Sequence, residues 1–184
     1  MERQLILHDL DPETAVILPP QTEDRTVFAA LPMARPCAGC FGCWVRTPGA
    51  CVARDRAAGF AGLLSRHAEL TVLSRMAFGG FSPAVKRFID RSIAHVLHFF
   101  EIRGGVMRHA ARTGAPLKLT AVFYGTGDDG EAMELAGRVV RANAANLGAT
   151  AWETRFAAGP PRPGILGDGP GASSQAGGRE VPPL

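Results

Sequence analysis

The sequence predicts an α/β fold: a doubly wound, five-stranded parallel sheet with a shortened first helix. Short apolar runs alternate with helical patterns along the chain, the signature of β–α units. Ser82-Pro83 and Gly148 punctuate those patterns as a helix start and a helix stop. The chemically distinctive residues fall in the segments that follow the apolar runs, where such a sheet binds its ligand.

The predicted strands are Gln4–His8, Thr26–Leu31, Leu70–Ser74, Leu117–Tyr124 and Ala151–Phe156. The predicted helices are Arg56–His67, Ser82–Phe100 and Gly130–Leu147. The first connection is weak. Asp11-Pro12 can cap a short helix over Glu13–Leu18, but Pro19-Pro20 ends it at once. Residues 1–158 form the domain, and no internal repeat is present. Residues 159–184 are rich in Gly, Pro and Ser, without periodicity, and are expected to form a disordered tail.

Of the 184 residues, 46% are apolar and 20% charged, as in an ordinary globular protein. A net charge of +3, with no Lys/Arg run, argues against a nucleic-acid partner. The opening MERQLILHDL has too short an apolar stretch for a signal peptide, and no run is long enough to span a bilayer. The expected compartment is the cytoplasm, where thiols stay reduced. The four cysteines therefore read as ligands or redox groups before they read as disulfides.

Those cysteines are Cys37, Cys40, Cys43 and Cys51, in the segment CAGCFGCWVRTPGAC. Three thiolates at two-residue spacing can turn around one centre, with Gly39 and Gly42 permitting a tight backbone. The fourth arrives after a bend at Pro48-Gly49. A C-x2-C-x2-C run with one further Cys is a pattern of iron–sulfur ligation. Zinc more often uses two separated C-x2-C knuckles. Packed unligated thiols, or thiols that pair on oxidation, are further readings of the same spacing.

The stretch PCAGCFGCWVRTPGACVARD, followed by LTVLSRMAFGGFSPAVKRFIDR, resembles the NAD(P)H-dependent FMN reductase family, and most closely its branch of iron–sulfur flavoproteins. Lys86, Phe88, Asp90 and Arg91 stand at the positions of that branch's K-x-F-x-D-R helix ending. The resemblance spans Thr26 to Phe156. It implies a flavodoxin-like sheet of order 2-1-3-4-5, FMN, a [4Fe-4S] cluster on the four cysteines, and NAD(P)H as substrate. It places Met76, Phe78, Gly79, Gly80 and Ser82 at the flavin edge. The loop after the fourth strand, with Tyr124 and Gly125, is a second candidate wall. The family usually has Pro and Tyr where this chain has Arg75 and Phe78.

The chain departs from the family after its first strand. Members that hold FMN grip its phosphate there with a Gly/Ser/Thr-rich loop and a helix N-terminus. This chain has HDLDPETAVILPPQTEDR, with no glycine or serine and with Asp9, Asp11 and Glu13. Carboxylates repel a phosphate where N–H groups should cradle it. Gly159-Pro160-Pro161-Arg162 is only faintly similar to a phosphate signature, and its prolines have no N–H to donate.

Two functions follow. One is a flavin-dependent NAD(P)H oxidoreductase or electron-transfer flavoprotein, passing electrons to a small molecule or a redox protein. The other is a flavin-less binding or redox-sensing protein that uses the cysteine loop for a cluster, zinc or thiol chemistry. His95 and His98, three apart on the predicted helix, can face one ligand; His109 matches a family position near the subunit or substrate side. The stunted first helix and the apolar Val96, Leu97, Phe99 and Phe100 predict a homodimer or larger assembly.

Overall fold

A computed structural model describes residues 3–103, 105–113, 116–167 and 173–175. The first strand, β1 (Gln4–His8), leads through a 3₁₀ turn at Thr14–Ile17 to β2 (Arg25–Ala29). The cysteine segment contains a one-turn helix, α1 (Gly42–Val45), and is followed by α2 (Phe60–Leu64). Next come β3 (Glu69–Ala77), β4 (Gly80–Phe81) and α3 (Pro83–Arg91). A 3₁₀ turn at Ser92–His95 feeds a ribbon of β5 (Val96–Arg103) and β6 (Val106–Ala111). The chain returns through β7 (Lys118–Tyr124), α4 (Gly130–Leu147) and β8 (Ala151–Ala157), and β9 (Ser173–Gln175) follows.

The strand order is β2-β1-β3-β7-β8, all parallel, with β9 antiparallel at the far edge. This is the predicted 2-1-3-4-5 sheet, enlarged by β9 and by the short β3–β4 hairpin. Leu5, Ile6 and Leu7 are consecutive and wholly buried, so β1 is covered on both faces, as parallel strands are. On one face Leu70, Val72, Leu119 and Phe123 pack under α2, α3 and α4, with Phe28, Phe60 and Phe88 in edge-on contact. On the other face the cover is thin. Leu10, Leu18, Leu73 and Val122 are sealed by Ile17 of the 3₁₀ turn and by Ile165 and Leu166.

Two predicted helices are corrected. The one expected over Arg56–His67 shrinks to α2. Ahead of α2, the Asp55 carboxylate accepts the Ala57 N–H, and Arg56 turns back onto the carbonyls of Ala29 and Leu31. The helix expected over Ser82–Phe100 ends at Arg91. Ser82 caps it as predicted, accepting the Val85 N–H, but Ser92 Oγ donates back to the Ile89 carbonyl and the chain runs extended from Val96. Val96, Leu97, Phe99 and Phe100 thus lie on a strand. Its alternating pattern overlaps the helical one. Helix α4 has its predicted ends, with Asp129 accepting the Ala132 N–H and Gly148 at φ +70°.

Candidate functional site

The cysteine loop leaves the carboxyl end of β2 and is tied at its neck by α3 and by Asp55. Arg87 donates to the Ala34 carbonyl at 2.7 Å. Arg91 donates to the Arg35 carbonyl on one side of the loop at 3.2 Å and to the Ala53 carbonyl on the other at 3.0 Å. Asp55 accepts the Arg35 N–H at 2.9 Å and pairs with Arg91 at 2.6 Å. The bulkiest fully buried side chain among the described residues is thus a cation that fastens both ends of the loop. Burial works against its charge, but Asp55 and the Cys51 sulfur outweigh that and raise its pKa. The Arg91 hydrogen bond holds the Asp55 carboxyl down at about 2.

Within the loop, α1 is a single turn entered through Phe41 at φ +55°. Gly42 is required there, since a Cβ would come within 2.6 Å of Val52 Cγ1. Trp44 donates from Nε1 to the Val96 carbonyl at 3.0 Å and is flanked by Phe41 and His109, at ring separations of 5.6 and 4.9 Å.

All four cysteines are free, and all four line one cavity of about 470 Å³, together with Trp44 and Arg91. Burial pushes the Cys43 thiol up, and charge on Cys51, Cys37 and Cys40 adds in the same direction. Among the described residues, no three His, Cys, Asp or Glu side chains are grouped to hold a single metal ion.

The expected flavin-wall residues occupy several local settings at the ends of β3 and β7. Phe78 and Gly79, at φ +51° and +70°, form the two-residue turn of the β3–β4 hairpin. Phe78 is fully exposed, and Gly79 sits so close to α4 that a Cβ would lie 2.7 Å from Leu135 Cδ2. Met76, Phe78 and Gly79 border an open depression beside Asp129 and Glu131. Gly80 is the first residue of β4, and Ser82 is buried as the α3 cap. Tyr124 donates its hydroxyl to Asp9 at 3.0 Å, and Gly125 donates its N–H to the Gly159 carbonyl.

The histidine pair is also separated. His95 is buried against Ser65 Oγ at 2.9 Å, which holds its pKa down through burial. His98 lies on β5 beside Trp44 and Phe99, and His109 on β6 stacks against Phe100. In the K-x-F-x-D-R segment, Lys86 and Asp90 form an exposed ion pair, Phe88 is core, and Arg91 is the loop clamp. The motif locates Arg91 in the sequence. Its partner Asp55, 36 residues earlier, is visible only in the fold.

No protein-family model matches the sequence, and no curated protein matches it. Solved structures do share its fold. An FMN-dependent NADH-azoreductase from Bacillus anthracis, in complex with FMN, is 12% identical, with a TM-score of 0.51 over 90% of this chain and 92% of that one. The azoreductase AzrA is 13% identical, with a TM-score of 0.54 over 85% and 87%. A further azoreductase from Bacillus anthracis is 14% identical, with a TM-score of 0.55 over 85% and 86%. The fold is therefore the flavodoxin-like α/β sheet of these azoreductases. At this identity the likeness defines the architecture alone.

Proposed function

We propose that this chain is an electron-transfer protein of the oxidoreductase class, whose redox centre is an iron–sulfur cluster held by Cys37, Cys40, Cys43 and Cys51. The observation that carries the reading is that all four free cysteines line one cavity, together with a buried arginine. The donor chemistry fits: four thiolates are the ligand set of such a cluster. A cubane offers each thiolate its own iron, so the sulfurs need not meet at a point. A tetrahedral zinc requires that they do, and the thiols are not grouped in that way. When bound, the cluster would supply one-electron chemistry. The chain's part is to hold it, to set the Arg91 charge beside an anionic centre, and to cover one side with Trp44. Thiols in this state call for a reducing compartment, which favours the cytoplasm.

A second reading, an FMN-dependent NAD(P)H reductase, is favoured by the neighbour of this fold whose structure holds FMN. The carboxylates of Asp9 and Asp11 after β1 weigh against the phosphate of that cofactor. The electron partner in the first reading is a small-molecule acceptor or a redox protein. We also propose self-association, through the exposed apolar residues of the β5–β6 ribbon.

The absorption spectrum of anaerobically purified protein, with iron and sulfide analysis, tests the assignment. The expected result is a broad cluster absorbance with both elements present. Cys40→Ser should remove iron and sulfide together, because serine is a poor replacement ligand. Resolved flavin bands without iron would favour the second reading. Protein that holds no iron after anaerobic reconstitution overturns the first.

A further inference from the structure

In a sheet of this order the ligand crevice lies at the carboxyl ends of β1 and β3, where successive connections leave in opposite directions. A phosphate bound there needs backbone N–H groups with no other partner. Several donors around this crevice are already engaged. The Arg75 N–H, at the end of β3, lies 3.0 and 3.2 Å from the two Asp9 oxygens. The Tyr124 hydroxyl, at the end of β7, donates to the same carboxylate at 3.0 Å. The Thr14 N–H, at the start of the 3₁₀ turn, donates to Asp11 at 2.8 Å, and the Thr14 hydroxyl donates to the second Asp11 oxygen, also at 2.8 Å. After β7, the N–H groups of Gly125, Thr126 and Gly127 donate to the carbonyls of Gly159, Ala157 and Ala158.

We propose that Asp9 and Asp11 are a built-in anion, occupying the donors that a cofactor phosphate would use, so that the switch-point crevice rejects phosphate-bearing ligands, FMN among them. Asp9 is the main determinant. It is almost fully buried, it bridges β1, β3 and β7, and its carboxylate already takes the place of an anion in the crevice. Burial is the first cause of the raised Tyr124 pKa; the Asp9 charge and hydrogen bond add to it, the Arg75 charge opposes it, and Asp11 adds least. A phosphate entering there would meet the Asp9 carboxylate, whose charge the Arg75 cation offsets only in part, and no free backbone donor among those named. The depression beside Phe78 adds Asp129 and Glu131. The proposal stands whether or not the cysteines hold a cluster.

Flavin fluorescence titration of the full chain tests it, using FMN and riboflavin, which share a ring and differ by the phosphate. Wild type should bind FMN no more tightly than riboflavin. Asp9→Ser/Asp11→Ser frees the donors and should raise FMN affinity about tenfold or more, with riboflavin affinity nearly unchanged, because removing like charge acts on the phosphate alone. Asp9→Asn keeps the shape and an acceptor for the Arg75 N–H. It should move the FMN-to-riboflavin ratio the same way by a smaller factor, and it serves if the double variant does not fold. Micromolar or tighter FMN binding by wild type overturns the proposal. So does a folded variant with unchanged FMN affinity, or an equal gain for both flavins.

Discussion

The Arg91 guanidinium meets the Asp55 carboxylate at 2.6 Å beneath the cysteine loop, with the arginine side chain wholly buried and the aspartate largely so. Removing one partner of a buried pair leaves an uncompensated charge and costs about 3–5 kcal/mol. Arg91 keeps two carbonyl acceptors, so Asp55→Ala should fall at the low end of that range in urea unfolding. Arg91→Met combined with Asp55→Ala should cost less than the two single changes added together, because the partners share one interaction. The pair also sets an acid limit. The Asp55 pKa lies below its ordinary 3.8, at about 2. Its contribution is therefore complete above about pH 4 and is lost as pH falls toward 2. Asp55→Asn should remove that part of the acid unfolding profile.

Tyr124 is the chain's single tyrosine, so its ionisation can be read without overlap. Burial raises its pKa, and the adjoining Asp9 charge adds to the shift. The folded value lies above the unfolded value of about 10. The resulting stabilisation is whole below pH 10 and is lost as pH rises beyond it. Tyrosinate absorbance in wild type should therefore appear only with alkaline unfolding. In Asp9→Asn it should appear at lower pH. Identical titration curves for the two proteins would show that Asp9 does not act on the hydroxyl.

Much of this architecture was legible in the sequence because local signals agreed with it. β1 and α4 have the predicted limits, the latter because Asp129 and Gly148 fix both ends. The cysteine loop was legible as a unit from its spacing. Its clamp was not, since Arg91 and Asp55 meet only after α3 packs beside the loop. The C-terminal limit of α3 was obscured because Val96–Arg103 carries enough apolar residues to satisfy a helical and an alternating pattern at once. The flavin-edge residues and the second wall come from two separate loops of the sequence. In the fold they divide between a hairpin turn, a helix cap and a carboxylate partner.

The segment after β8 fills the space left by the short first helix. Ile165 and Leu166 are half-buried against the cluster of Leu10, Leu18, Leu73 and Val122, and Arg155 donates to the Leu166 carbonyl at 3.1 Å. Burying one large aliphatic side chain completely stabilises by about 1.5–3 kcal/mol, so two half-buried ones contribute about 2 kcal/mol together. Truncation after Ala158 should lower Tm by about 4–8 °C for a chain of this size. Truncation after Gly167 should spare that contribution. If both shortened chains melt alike, the packing of Ile165 and Leu166 contributes nothing measurable.

The β5–β6 ribbon sets Phe100 opposite His109 and Ile102 opposite Met107, which places all four on one face. The inner end of that face is engaged, because the His109 ring lies tilted against Trp44 of the cysteine loop, with centroids 4.9 Å apart. The outer end is not covered: Phe100, Ile102 and Met107 are each more than 60% exposed. An isolated two-stranded ribbon is marginal in water, and an apolar face of this kind gains by burial against another surface. A second copy of the chain offers the same face, and two such ribbons can pair symmetrically. The expected wild-type species in sedimentation at micromolar concentration is a dimer or larger. Ile102→Glu with Met107→Glu should yield a monomer with unchanged thermal stability at low concentration, since neither side chain is buried within the subunit. A wild-type monomer would remove the ribbon as an interface. A dimer that survives both substitutions would place the contact on another surface.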